Sequence, residues 1–315
     1  MYDLIIIGGG PAGAAAGVYA GRKRLKTALI TESFGGQSIV SDDIQNWIGI
    51  KSISGFELAK NLEEHVRAQE TVEIISGDKV NAVKEISGGY EVATDTGKSL
   101  SAKALIITSG GRRRKLGVPG EDLLNGKGVA YCSTCDAPLF SGRKVAVVGG
   151  GNAGLEAVID LLPYATEVFL IVRGDKLAGD PITQAEVQKS EKVKILWNTS
   201  TKEIIGEKFV TQLKLDRAGK EEMLDANGIF IEIGSVPNSE FVKGLVELNK
   251  FGEIITDHKL STTSKPGIFA AGDVTDDPYK QNNISVGDAV IATLSAYNYL
   301  LNHEKSSSAA DLGHN

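Results

Sequence analysis

Twice in this chain an unbroken apolar run leads straight into G-x-G-x-x-G, and nothing else in the sequence restricts the fold as strongly. YDLIII (2–7) precedes Gly8-x-Gly10-x-x-Gly13, and KVAVV (144–148) precedes Gly149-x-Gly151-x-x-Gly154. Apolar runs without alternation suit strands buried on both faces of a parallel sheet. In such a loop the first glycine permits a tight turn and the second lets backbone approach a pyrophosphate. The third lets helix and strand pack closely. The helix that follows, from about Pro11 to Gly21, offers its N-terminal N–H groups and positive dipole end to phosphates. TALIT (27–31) reads as the second strand, which completes a β-turn-α-β unit.

Glu32 follows that strand directly, at the place after the glycine loop where the dinucleotide fingerprint puts an acid. A carboxylate there accepts hydrogen bonds from ribose hydroxyls. Arg173 occupies the matching place after Gly154. A cation there suits a ribose 2′-phosphate, and a plain surface arginine is the other reading. The fold class expected is α/β, with two Rossmann-like doubly wound dinucleotide-binding domains, the second inserted into the first. The expected boundaries are 1–115 with 248–302 for the first domain and 116–247 for the inserted one. A flexible tail is expected at 303–315. Residues 72–100, with VEIISG, VNAVKEI and YEVATD, read as a β-meander, and strands are expected near 193–197, 202–205, 209–215 and 227–233. Two nucleotide sites in one chain imply two cofactors that exchange electrons, and FAD with a nicotinamide nucleotide is the commonest pair.

Composition is compatible with this. The length of 315 residues suggests two domains. Hydrophobic residues at 42% and charged residues at 23% exclude a disordered chain. A net charge of −6 argues against a nucleic-acid partner. The basic run Arg112-Arg113-Arg114-Lys115 reads as a solvated loop. No unbroken apolar stretch is long enough to span a bilayer, so no transmembrane helix and no membrane partner are expected. The N-terminus lacks a basic segment before its apolar run, which points to a cytoplasmic protein without a signal peptide.

Two cysteines are present, Cys132 and Cys135, in C-S-T-C-D. A closed zinc site needs four ligands, and His65, His258, His303 and His314 show no ligand spacing with the pair. A C-x-x-C on a turn entering a helix can instead cycle between disulfide and dithiol. Asp136 beside it is a candidate acid–base for the leaving thiol, and a helix-capping carboxylate is its structural reading.

These segments together resemble the low-molecular-weight thioredoxin reductases and the C-terminal reductase part of the alkyl hydroperoxide reductase flavoprotein. The resemblance runs over residues 1–302. It is carried by GGGPAG (8–13), GGQ (35–37), SGGRRRKLGVPGE (109–121), YCSTCDAPLF (131–140), GGGNAG (149–154), GIFAAGDV (267–274) and YKQ (279–281). It implies that FAD is held by Gly8, Gly10, Gly13, Glu32, Gly36, Gln37, Asn46, Asp273 and Gln281. The nicotinamide nucleotide, NADPH or NADH, would be held by Gly149, Gly151, Asn152, Gly154 and Arg173. It further implies a redox pair Cys132–Cys135 with Asp136 as its acid, a thioredoxin-like or glutaredoxin-like protein partner, and a homodimer. Cys135 is the favoured flavin-side thiol, and the division of roles stays open. In this family the inserted domain would have to rotate between two states, with hinges near 115–118 and 244–249.

One departure stands out. NADPH-using members carry H-R-R-x-x-x-R-A where this chain has VRGDKLAG (172–179), and NADH-using relatives place an acid where Val172 stands. Neither recognition set is intact. The electron donor therefore stays open between NADPH, NADH and a non-nicotinamide donor such as ferredoxin. A dithiol oxidase of the same fold is a further alternative.

Overall fold

The computed structural model describes residues 1–41 and 43–311. The chain divides into two compact units: Met1–Arg112 together with the chain from Val236 onward, and Arg113–Ser235. The sequence reading puts the return at residue 248. Residues 236–247 already belong to the first unit, because Val242 and Val246 are buried in a cluster with Ile5, Ile7 and Ile254. The chain leaves the first unit through β7 (Gly111–Arg113) and returns through β16 (Ser235–Pro237), and these two form a short two-stranded ladder.

In the first unit, β1 (Tyr2–Ile7), α1 (Pro11–Arg22), β2 (Thr27–Thr31), α2 (Gly55–Arg67) and β3 (Val72–Ser76) form the βαβαβ start. β4 (Val80–Ile86) and β5 (Gly89–Thr94) make a hairpin ahead of β6 (Ser99–Ile107). The sheet order is β3-β2-β1-β6-β5-β4. β6 pairs parallel with β1 on one edge and serves two neighbours along the other: residues 99–102 pair antiparallel with β5, and 105–107 pair parallel with β17 (Ile268–Ala270). VEIIS therefore does not join a meander. It follows a crossover helix and pairs parallel with β2, Leu29 opposite Ile74. The two larger buried clusters of this unit lie on the two faces of the sheet, as the alternation of Leu4 and Ile6 with Ile5 and Ile7 requires, and a third, small one gathers Ile44, Ile53 and Leu58.

The second unit repeats the strand order. β9 (Lys144–Val148), α4 (Asn152–Leu161), β10 (Glu167–Ile171), α5 (Pro181–Lys189) and β11 (Val193–Leu196) are followed by β15 (Gly228–Ile231). With β8 (Val129–Ala130) the parallel order is β11-β10-β9-β15-β8. Where the first unit inserts a hairpin, this one inserts an antiparallel sheet of β12 (Thr199–Gly206), β13 (Val210–Arg217) and β14 (Lys220–Asp225). α5 and β14 have no counterpart in the sequence reading, because their charged, poorly amphipathic surfaces carry no clear period.

The last helix, α6, spans Asn282–Asp311. It continues past residue 303, where the sequence reading begins a flexible tail; residues 312–315 lie outside the described residues. Its segment Asn282–His303 has, by length and composition alone, the mean hydropathy, 1.2, of a membrane span. The cause is core packing: Ala289, Ala292, Ala296 and Leu300 are buried in one cluster with α1 residues Ala12, Ala16 and Ala20.

Phe230 is fully buried in the second unit, edge-on to Phe140 with ring centroids 4.9 Å apart. Phe230→Ala is expected to destabilise that unit by about 3–5 kcal/mol, read as a lowered denaturant midpoint in urea unfolding.

Candidate active site

The first glycine loop is built around two close approaches. A Cβ on Gly8, where φ is +116°, would lie 2.3 Å from the Thr108 carbonyl oxygen. A Cβ on Gly13 would lie 1.8 Å from the Gly8 carbonyl oxygen. Neither gap admits a side chain, so helix and strand meet backbone to backbone, as the third glycine of the fingerprint demands. The α1 N-terminus has no side-chain cap and begins with Pro11, so its first-turn N–H groups are left for a bound anion. Thr108 pins the loop from below, donating its hydroxyl to the Ile7 carbonyl at 2.9 Å.

Above this loop lies a cavity of about 800 Å³, entirely within the first unit and lined by Gly8, Gly10, Glu32, Gly36, Gln37 and Asp273 among others. Residues far apart in sequence meet here. Gln37 donates to Asp273 at 3.3 Å, and Asn46 donates to Gln281 at 3.3 Å. Ser285, in the first turn of α6, donates to the other Asp273 oxygen at 3.3 Å. Glu32 lies at the cavity with its side chain exposed, 3.9 Å from Lys79 Nζ. The mixed-polarity space fits a dinucleotide such as FAD: glycine backbone for the pyrophosphate, Glu32 for a ribose, Asp273 for a hydroxylated chain. Lys79, Asn81 and Asp95 also line it. Sequence reading misses them because they sit on the hairpin, outside any motif.

The second loop repeats the construction. A Cβ on Gly149 would lie 2.2 Å from the Glu232 carbonyl oxygen, and one on Gly154 would lie 2.0 Å from the Gly149 oxygen. Gly151 faces open space. Asn152 does not point outward as a free ligand; its side chain accepts the Asp180 N–H at 2.7 Å and ties the α4 start to the 179–180 turn. Val172 is buried beneath the loop, its methyl 3.0 Å from where a Gly150 Cβ would stand. Arg173 is exposed beside it.

Cys132 and Cys135 form a disulfide, with Cα atoms 5.3 Å apart. The helix expected after the pair is the single turn α3 (Ser133–Asp136), followed by a 3-10 turn. One turn carries little macrodipole, so the charges around the pair matter more. Burial pushes the Asp136 carboxyl up to about 6, against the pull of the Arg113 guanidinium. Burial likewise pushes Glu232 up to about 7, again against Arg113. Asp160 accepts the Ser133 hydroxyl at 2.8 Å and the Thr134 hydroxyl at 3.3 Å. Arg113, read from sequence as part of a solvated basic run, is half-buried, and its charge favours the ionised forms of these two partly buried carboxyls. Glu232, Asp160 and Arg113 are not legible as site residues. Each comes from a different element and reaches the turn only through the fold.

Two glycine cradles and a disulfide closed across Cys-x-x-Cys are the features an oxidoreductase of the pyridine nucleotide-disulphide class combines. The chain matches the pyridine nucleotide-disulphide oxidoreductase family over residues 2–292 and belongs to it. It is 44% identical over 306 residues to an alkyl hydroperoxide reductase subunit from Pseudomonas aeruginosa, covering 95% of this chain and 58% of that protein. It is 40% identical over 302 residues to a protein named NADH dehydrogenase from Bacillus subtilis strain 168, covering 95% of this chain and 59% of that protein. The chain therefore spans under three fifths of these curated relatives. Solved structures match it over nearly its whole length. Thioredoxin reductase from Streptococcus pyogenes MGAS5005 superposes with a TM-score of 0.90 at 37% identity, covering 96% of this chain and 99% of that one. The enzyme from Giardia duodenalis gives 0.89 at 31%, covering 95% and 99%.

Gly13→Ala is expected to cut flavin content of the purified protein by at least about tenfold, a loss of ~1.4 kcal/mol or more in binding. Visible absorbance against protein concentration measures it, and circular dichroism verifies that the fold persists.

Proposed function

We propose that this protein is an FAD-dependent disulfide reductase. In this reading a reduced nicotinamide nucleotide supplies an electron pair, which reaches a thioredoxin-like protein disulfide by way of Cys132–Cys135. The observation that carries the reading is the disulfide set one residue from an acid with a raised pKa, in a chain that also builds two dinucleotide cradles. FAD, when bound, supplies a two-electron relay between the nicotinamide and the sulfurs.

The chain's own groups do the rest. Gly8, Gly10, Gly13 and the α1 start would hold the flavin pyrophosphate, with Glu32 on a ribose. Gly36, Gln37, Asn46, Asp273 and Gln281 would hold the rest of the flavin nucleotide. Gly149, Gly151, Gly154 and the α4 start would hold the second nucleotide, with Asn152 shaping that start and Arg173 near its ribose. When the sulfur–sulfur bond opens, one sulfur leaves as a thiolate and needs a proton. Burial raises the Asp136 carboxyl to about 6, so it holds its proton well above the ordinary carboxyl range and is the group beside the pair suited to donate to that sulfur. The remaining thiolate attacks the partner's disulfide, forming a mixed disulfide and releasing a partner thiolate that takes up a proton. The second cysteine of the pair then displaces the first partner sulfur, restoring Cys132–Cys135 and leaving the partner as a dithiol. Two electrons and two protons are transferred in balance. Cys135 is the favoured flavin-side sulfur, and the division of roles between the two cysteines stays open. The protein is assigned to the cytoplasm and to a homodimer.

The donor is the open part of this reading. Arg173 favours a 2′-phosphate, but its neighbours Val172 and Gly174 offer no second cation. Anaerobic titration of the holoenzyme with NADPH, NADH and reduced ferredoxin, following flavin bleaching, decides it; bleaching by a nicotinamide nucleotide at stoichiometric amounts is the expected result. Bleaching by reduced ferredoxin alone, or by a small dithiol with peroxide formed in air, would replace it with one of the alternative donors.

Cys135→Ser is expected to keep bound flavin and its bleaching by the donor while losing transfer to a thioredoxin-like protein. Wild-type transfer in that variant, followed by insulin reduction, would remove the cysteines from the reaction.

A further inference from the structure

Glu121 is only 2% exposed, and the proposed reaction gives it no part. Its backbone is fixed from outside the redox turn. The Ile204 N–H of β12 donates to the Pro119 carbonyl at 2.9 Å, and a Cβ on Gly120, where φ is +86°, would lie 1.8 Å from the Ile204 carbonyl oxygen. The turn that carries Glu121 therefore lies directly on the three-stranded sheet. Its carboxyl gathers three donors. One oxygen accepts the Tyr131 hydroxyl at 2.8 Å and the Leu116 N–H at 3.1 Å, and the other accepts the Gly117 N–H at 2.7 Å. Tyr131 is the residue before Cys132. β8 ends at Ala130, opposite Phe230 of β15, so Tyr131 is the first residue past the ladder. Its ring packs on the cluster that holds Leu124 and Leu213. Burial, and then the bond to Glu121, push its phenol well above the usual range, so it remains a donor. On the far side of Cys132 the hydroxyls of Ser133 and Thr134 donate to Asp160 at 2.8 and 3.3 Å. Cys132 thus stands between two anchored neighbours. α3 is a single turn, too short to hold its own first residue, so these ties set where the sulfur stands.

We propose that Glu121 is a positioning residue for the redox pair: through the Tyr131 hydroxyl it holds the chain at Cys132 where the two sulfurs meet, and so biases the pair toward the disulfide. Closing a disulfide costs chain entropy, and a backbone already held in place has less to lose. The bond to Tyr131 is present with the pair closed. If opening the pair weakens this bond, the bond favours the closed form directly. If the bond persists, it favours closure by holding the chain ready. The sign is the same in both cases, and removing the bond makes the pair easier to reduce. A pair that closes readily is a strong reductant once opened, which is what passing electrons on to a partner disulfide requires. The role rests on the disulfide-reductase reading for its use in turnover, but the equilibrium it governs belongs to the disulfide alone.

The test uses the full-length holoenzyme, equilibrated without air in mixtures of reduced and oxidised glutathione at pH 7, then quenched with acid and alkylated to count open thiols. Two glutathione thiols give up two electrons and two protons and form their own disulfide; the pair takes these up as its sulfur–sulfur bond breaks. No donor nucleotide or partner protein enters. Tyr131→Phe keeps the ring and removes only the hydroxyl. It is expected to raise the ratio of dithiol to disulfide about tenfold, which is ~30 mV for a two-electron couple. Glu121→Ala should raise the ratio at least as far, and Tyr131→Phe added to it should raise it no further, because the same bond is already gone. Tyr2→Phe, which removes a like bond to Glu73 at 2.6 Å on the first unit's sheet, should leave the ratio unchanged. An unchanged ratio in Tyr131→Phe would overturn the proposal even with a lowered urea midpoint, since that result marks a bond that serves stability alone. Equal shifts in Tyr131→Phe and Tyr2→Phe, or additive shifts in Tyr131→Phe and Glu121→Ala, would overturn it as well. Should Glu121→Ala fail to fold, the two tyrosine variants decide. If no donor bleaches the wild-type flavin while the ratio shifts as expected, the reductase reading falls and the positioning role stands.

Discussion

Each half of this molecule depends on a contact in which two backbones meet with no side chain between them. At Gly13 against the Gly8 carbonyl and at Gly154 against the Gly149 carbonyl, a methyl group would sit 1.8 and 2.0 Å from oxygen. The contact brings the start of each helix onto the end of its first strand. That places uncapped helix N-termini at the carboxyl edge of each parallel sheet, where a phosphate finds both N–H donors and a favourable dipole. Crossovers that carry helices join the parallel strands, and both units arrive at the same arrangement around their first strand. The insertions differ, a hairpin in one and a three-stranded sheet in the other, because they lie outside this constraint.

The parts of the fold written in local chemistry are legible in the sequence. Both glycine loops, their flanking strands and the cysteine pair are short segments whose residue types answer a local geometric demand. VEIIS is not legible in this way, because its short apolar pattern fits a meander or a parallel strand equally well. Only the preceding crossover helix, with its Ser54–Glu57 capping box, decides between them. The return to the first unit falls at Val236 and not at 248 for a related reason. Val242 and Val246 are ordinary apolar residues until the first sheet buries them.

Much of the candidate site cannot be read in that way. Gln37 and Asp273 are 236 positions apart and share a hydrogen bond; Asn46 and Gln281 are 235 apart and do the same. Only the family resemblance brings those residues together ahead of the fold. Resemblance does not reach Arg113, Asp160 or Glu232. A basic run in an acidic chain reads as solvated, and an acid after an apolar strand reads as the strand's exposed end. What changes their meaning is that all three converge on a disulfide turn that has no long helix of its own to set its electrostatics.

That convergence has a thermodynamic cost. A carboxyl whose pKa is raised by folding stabilises the folded state fully only below its unfolded value, and that contribution is lost as pH rises through the folded value. For Asp136 the loss runs from near 3.8 to about 6, and for Glu232 from near 4.5 to about 7. At neutral pH both acids therefore work against folding, and Arg113 offsets part of the burden. A chain selected for stability alone would place amides or apolar groups there, since a buried charge without full pairing is expensive. Retaining acids beside a disulfide makes physical sense where a proton must be at hand each time the sulfurs part. The raised pKa values are then the property that fits the turn to reversible sulfur chemistry near neutral pH.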